Sequence, residues 1–154
     1  MADRMASTLA PAKRTEARAL YAKMLTTYDQ IAPYYGVSRY DLSGSTAVLL
    51  IGSYQMHSGN EVSDTGVRAV IDQIRGGLGA SSELASADAN ARQAYYEQSA
   101  ITGTLLTVIF RETRTTPNAE LQSTARTAAT GYLKMLLGGD PDAIIINDNG
   151  LQMQ

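Results

Sequence analysis

ANARQAYYEQSAITGTLLTVIFRETR, residues 89–114, is the stretch whose reading decides between an all-helical chain and a mixed one. Its centre, Ile101 to Phe110, is strongly apolar, and Thr102, Gly103, Thr104 and Thr107 make it rich in β-branched and small residues. A strand over Ile101–Phe110 is therefore the competing reading. Helix is preferred because Ala89 to Gln98 leads into this centre without a break. Ala91, Tyr95, Ile101, Leu105, Val108 and Ile109 then follow one side. The spacing predicts a long helix from about Ser86 to Arg114.

Working outward, Thr116-Pro117 reads as the cap and first turn of a further helix. Its stripe, Leu121, Ala125, Ala128, Ala129, Tyr132, Leu133, Leu136 and Leu137, runs to Gly138. From Asp140 to Gln154 the character changes: Ile144, Ile145 and Ile146 favour extended chain, and Asn147 to Gly150 form a turn. Upstream, Leu20, Tyr21, Met24, Leu25, Tyr28 and Ile31 recur at helical spacing between Pro11 and Pro33, with Thr8 as a possible cap. The next helix opens with Ser38 and Asp41 as a capping-box-like pair and Val37 and Leu42 as a hydrophobic staple. Gly44, Val48 and Gly52 then make a small-residue strip that predicts a central, largely buried helix. Ser63, with Val62 and Val67, repeats the device for a third helix with the stripe Val67, Val70, Ile71, Ile74 and Leu78, ended by Gly76, Gly77 and Gly79. A Ser/Ala-rich link, Ala80 to Asp88, joins it to the long helix. The fold class is all-α: a single-domain bundle of about five helices over 11–139, with a flexible N-terminus over 1–10 and a short extended C-terminal tail, 140–154, packing on the bundle.

Composition narrows the function classes. With 154 residues, 44% hydrophobic and 18% charged, the chain suits one buried core. A formal net charge of -2 and no Lys/Arg cluster argue against nucleic acid. No apolar run approaches the roughly 20 residues of a membrane span, and no stretch has the length of an export signal. The absence of cysteine excludes disulfides, thiolate metal sites and cysteine nucleophiles, and leaves the compartment open. Neither a phosphate-cradling glycine loop nor a strained serine elbow occurs. With a single histidine, and tail carboxylates whose spacing misses the calcium-loop pattern, no metal or other cofactor is expected.

Six residues remain as site candidates. His57, at the end of the second helix, suits either acid-base chemistry or the unpaired carbonyls of a helix C-terminus. Glu97 precedes the apolar centre of the long helix, either as an inward-facing acid or at the border of the buried face. Tyr34, Tyr35, Tyr40 and Tyr54, with Tyr28, form a cluster around the first two helices, because tyrosine offers apolar area with a polar tip. They either make a ligand or partner surface or close the gap between helices. Arg111, Glu112 and Arg114 read as a solvated last turn.

Three segments, Tyr96-Glu97-Gln98-Ser99-Ala100-Ile101-Thr102-Gly103-Thr104, Ala128-Ala129-Thr130-Gly131-Tyr132-Leu133, and Asp140-Pro141 through Ile146 to Gly150-Leu151, carry a resemblance. The chain resembles an uncharacterised family of small bacterial proteins, common in proteobacteria and usually made with an N-terminal export signal. The resemblance implies an exported, periplasmic or secreted, helical and non-enzymatic protein, and transfers no catalytic residue. The first expectation for function is thus a protein-interaction or adaptor protein of the bacterial envelope. The second is a carrier of a small apolar ligand, suggested by Gly44, Gly52 and Gly103 thinning the core. The third is an enzyme using Glu97 with His57 or a tyrosine. An apolar cavity favours the second, a solid core with an exposed tyrosine patch the first.

Overall fold

Residues Ala89–Thr115 form one unbroken helix, so the apolar Thr/Gly-rich centre is helical and the strand alternative falls. The computed structural model describes residues 1–78 and 87–154. Among the described residues the helices are α1 (Ala2–Ser7), α2 (Pro11–Ile31), α3 (Leu42–Ser58), α4 (Asp64–Leu78), α5 (Ala89–Thr115) and α6 (Ala119–Leu137). Two 3-10 turns, Ala32–Tyr35 and Pro141–Ala143, follow α2 and α6, and an antiparallel hairpin of β1 (Ile144–Asn147) and β2 (Gly150–Met153) ends the chain. The expected link over Ala80–Asp88 and the terminator Gly79 lie outside the described residues, save Ala87 and Asp88.

Helix α3 is the axis of the bundle, and α5, α6, α4 and β1 all pack on it. Thirteen of its 17 residues are buried, including Ser43, Ser45 and Ser53, so it has no solvent face along most of its length. It runs parallel to α5. The Thr46 hydroxyl meets that of Tyr95 at 3.0 Å near one end, and Met56 shares a core cluster with Phe110 near the other. Midway the two backbones touch: a Cβ on Gly52 would lie 2.5 Å from the Gly103 carbonyl oxygen, and one on Gly103 would fall inside the backbone of Val48 and Leu49. These glycines do not thin the core, as expected from the sequence. They remove the space that side chains would have kept between the helices.

That close approach also corrects the α5 stripe. The buried residues include Tyr96, Ser99, Ala100, Ile101, Gly103, Leu106 and Phe110, so Ile101 of the expected stripe is buried, whereas its Val108 and Ala91 are exposed. Small residues define the contact, and an apolar count passes over Ser and Gly. Helix α2 is more peripheral than its stripe suggests, with only Met24 and Tyr28 buried and Leu20 and Ile31 exposed.

Several caps differ from expectation. Ala10, without a side-chain bond, precedes α2, and the Thr8 hydroxyl donates instead to the Met5 carbonyl. Asp41 itself caps α3, accepting from the Ser43 N–H at 2.9 Å, so Ser38 forms no box. Asn118 rather than Thr116 caps α6, accepting from the Leu121 N–H at 3.0 Å, and Pro117 stands ahead of the helix. Asp88 caps α5, and Ser63 accepts from the Gly66 N–H at the start of α4. Where a flexible start was expected over 1–10, residues 2–7 are helical and bury Ala6 against the bundle.

The tail is a hairpin rather than plain extended chain. Gly150, at φ +90°, takes the left-handed conformation that closes its turn. Ile144 and Ile146 enter the core. On the outer side Gln73 of α4 accepts from the Leu151 N–H at 2.7 Å and donates to the Leu151 carbonyl at 3.2 Å. One side-chain amide thus satisfies both backbone groups of that residue.

Candidate functional site

On the side of α3 turned to α2 and α4, the packing opens into a cavity of about 150 Å³. Ala32, Ala47, Val48, Ile51, Val67 and Ile71 make its apolar wall, and Tyr35, Asp64 and Arg111 stand among its polar residues. Local sequence explains the space. After α2 the chain turns tightly through the 3-10 turn to Gly36 at φ +71°, which brings Val37 back against Gly44. Gly44, Ala47, Val48 and Ile51 of α3 then line the space.

Two buried polar atoms belong to residues of this wall. Among the described residues the Tyr28 hydroxyl and the Gln55 Oε1 have no hydrogen-bond partner, although both residues are about 95% buried. Leaving such a group unpaired costs roughly 1–3 kcal/mol. Burial pushes the Tyr28 phenol well above its ordinary value, with the neighbouring Tyr96, Asp41 and Asp29 acting the same way. It therefore stays a neutral hydroxyl that can donate and accept.

At the rim the Asp64 carboxylate accepts from Tyr35 at 2.8 Å and from Tyr34 at 3.1 Å, and these bonds, led by that from Tyr35, lower its pKa. Burial and this bond raise the Tyr35 phenol to about 12. The Arg68 guanidinium lies over both rings, 5.1 Å from Tyr34 and 5.4 Å from Tyr35. Beyond the rim a groove of about 320 Å³ continues along Glu61, Arg111, Arg114 and Thr115, and it shares Gln55, Val62 and Arg111 with the cavity. Arg114 pairs with Glu61 at 3.2 Å and covers Phe110.

The six residues singled out in the sequence scatter. Tyr35 lines the cavity and Tyr34 flanks it, while Tyr54 is a core residue. Tyr40 lies elsewhere, tilted on Tyr96 at 5.4 Å, with an unusual φ of +67°. His57 is buried and holds elements together: Nδ1 meets the Thr130 hydroxyl of α6 at 2.8 Å, and Nε2 meets the Asp142 carboxylate at 3.0 Å. Glu97 accepts from Gln93 and pairs with the Met1 amino group, and its pKa is lowered chiefly by the Gln93 bond. Glu97 stands near Tyr95, level with Thr46, eleven residues before His57 along α3, which is roughly 16 Å of helix. The structure does not bring the two together, and both nitrogens of His57 are occupied.

What the sequence reading missed is Gln55 and Arg111, one hidden in an apolar helix and the other taken as a solvated turn. Gln55 carried a signal, being a long polar residue in the middle of a helix expected to be buried.

Fold and cavity together define a class, the small helical-bundle proteins with an apolar pocket and a polar mouth. The chain matches the family of unknown function DUF6683 over residues 1–154 and belongs to that family. No curated protein and no solved structure matches it.

Proposed function

We propose that this protein binds a small apolar molecule in the cavity between α2, α3, α4 and α5. The observation that carries this reading is an apolar wall that opens to a polar mouth at Tyr35, Asp64 and Arg111. Natural pockets combine mostly apolar surface with a few polar groups that orient the occupant. In size, a cavity near 150 Å³ accommodates a benzene-sized body. The adaptor reading has less support, because Tyr34 and Tyr35 are engaged with Asp64 and Arg68 and Tyr54 is buried. The location we propose, the periplasm or outside of a bacterium, rests on the family resemblance, and fractionation of a native host tests it.

Toluene is a suitable probe of the pocket. Saturating it should raise the melting temperature and shift the NMR signals of Ala47, Ile51 and Ile71, and Ala47→Leu should abolish both effects. Toluene leaving those signals and the melting temperature unmoved would refute the reading.

A further inference from the structure

The pocket's mouth carries a charge that no hydrogen bond or ion pair among the described residues uses. Arg68, Arg111 and Arg114 meet two carboxylates there, Asp64 and Glu61. Both carboxylates are engaged, Asp64 by Tyr34 and Tyr35 and Glu61 by Arg114. Arg68 lies over the tyrosine rings, and its Nη1 also meets the Asp64 carbonyl oxygen at 3.4 Å. Arg111 makes no hydrogen bond or ion pair among the described residues, and it reaches Asp64 only through its field. The mouth thus holds one net positive charge on a chain whose formal net charge is -2. That charge stands where the cavity and the groove meet, on a residue that lines both.

We infer that the occupant is an amphipathic monocarboxylate. Its apolar body sits among Ala47, Ile51 and Ile71, and its carboxylate is held at the mouth by Arg111. This rests on the pocket reading above. A planar guanidinium matches a carboxylate with two parallel N–H donors, which a neutral head cannot exploit. One arginine without an ion-pair partner among the described residues suits one negative charge better than the two of a phosphate monoester.

Benzoate and its neutral isostere benzamide separate the head from the body. By calorimetry at low salt, benzoate should bind at least tenfold more tightly than benzamide, and the preference should shrink as salt is added. Arg111→Gln should erase the preference, and Arg111→Lys should restore part of it. Equal affinity for the two probes, or a preference surviving Arg111→Gln, would overturn the carboxylate assignment. So would toluene binding with no binding of benzoate. If toluene fails as well, the pocket reading itself is at fault and the head-group assignment falls with it. Arg111 is exposed, so its variants should fold, and an unchanged melting temperature would show that they do.

Discussion

Helix α3 has two sides that treat small residues in opposite ways. Toward α5, Gly52 and Gly103 let backbone meet backbone and leave no space for a methyl group. Toward α2 and α4, Gly44 and Ala47 line a cavity of about 150 Å³. Similar composition thus gives closure on one side and a void on the other. What decides is the neighbour. On the closed side, α5 runs parallel to α3 and answers glycine with glycine. On the open side, α2 ends at Ile31, and beyond the turn Val37 comes back only onto Gly44, so that Ala47 is left facing the cavity.

This contrast can be broken most sharply at Gly103. Gly103→Ala must push α3 and α5 apart and should destabilise the fold by about 3 kcal/mol, at the upper end for overpacking, as read by denaturant unfolding. Gly131 on α6, with nothing within 4 Å of its missing Cβ, is the control. There the same change should be neutral or stabilising, because alanine is the better helix former. The next effect in size is at His57. His57→Ala would remove the bridge from α3 to Thr130 and Asp142, and should lower stability by about 2 kcal/mol. Hydrogen exchange should show α6 and the hairpin loosening first.

A smaller effect, of opposite sign, belongs to the open side. Ala47→Leu should fill part of the cavity and leave stability unchanged or raised by about 1 kcal/mol, while abolishing toluene binding. A clear loss of stability would mean that the two sides of α3 are equally tight. The smallest effect is acid sensitivity. Burial works against the Asp41 carboxylate, but the bonds from Ser43 and Arg75 outweigh it and hold its pKa below the ordinary value. Asp64, bonded by two tyrosines, is lowered too. Their contribution is therefore complete above about pH 4, the unfolded value, and is lost as pH falls through the lower folded values. Asp41→Asn should flatten the stability curve in that acid range.

Much of the helical plan was legible, because long periodic runs, Ser63 and the breaks at Pro33, Gly59 and Gly138 are local signals. The α5 face was read one residue off, since Ser99 and Gly103 contribute contact without hydrophobicity. Caps were placed early at Thr8, Ser38 and Thr116 because several residues in each stretch can cap, and only the tertiary path chooses among them. Tyr35 was legible as a pocket residue. Gln55 and Arg111 were not, because a polar side chain becomes part of a site only through the helix that faces it.

The C-terminal hairpin gives the molecule a timetable. Gln73 finds both of its backbone partners on Leu151, 78 residues further along the chain. At ordinary rates of synthesis those residues are made roughly 4 to 16 s after it. During that interval the outer face of α4 stays bare and Ile144 and Ile146 are missing from the core. The newborn chain therefore reaches its final packing only once the hairpin has left the ribosome, and a chain lacking β2 would leave Gln73 without these partners.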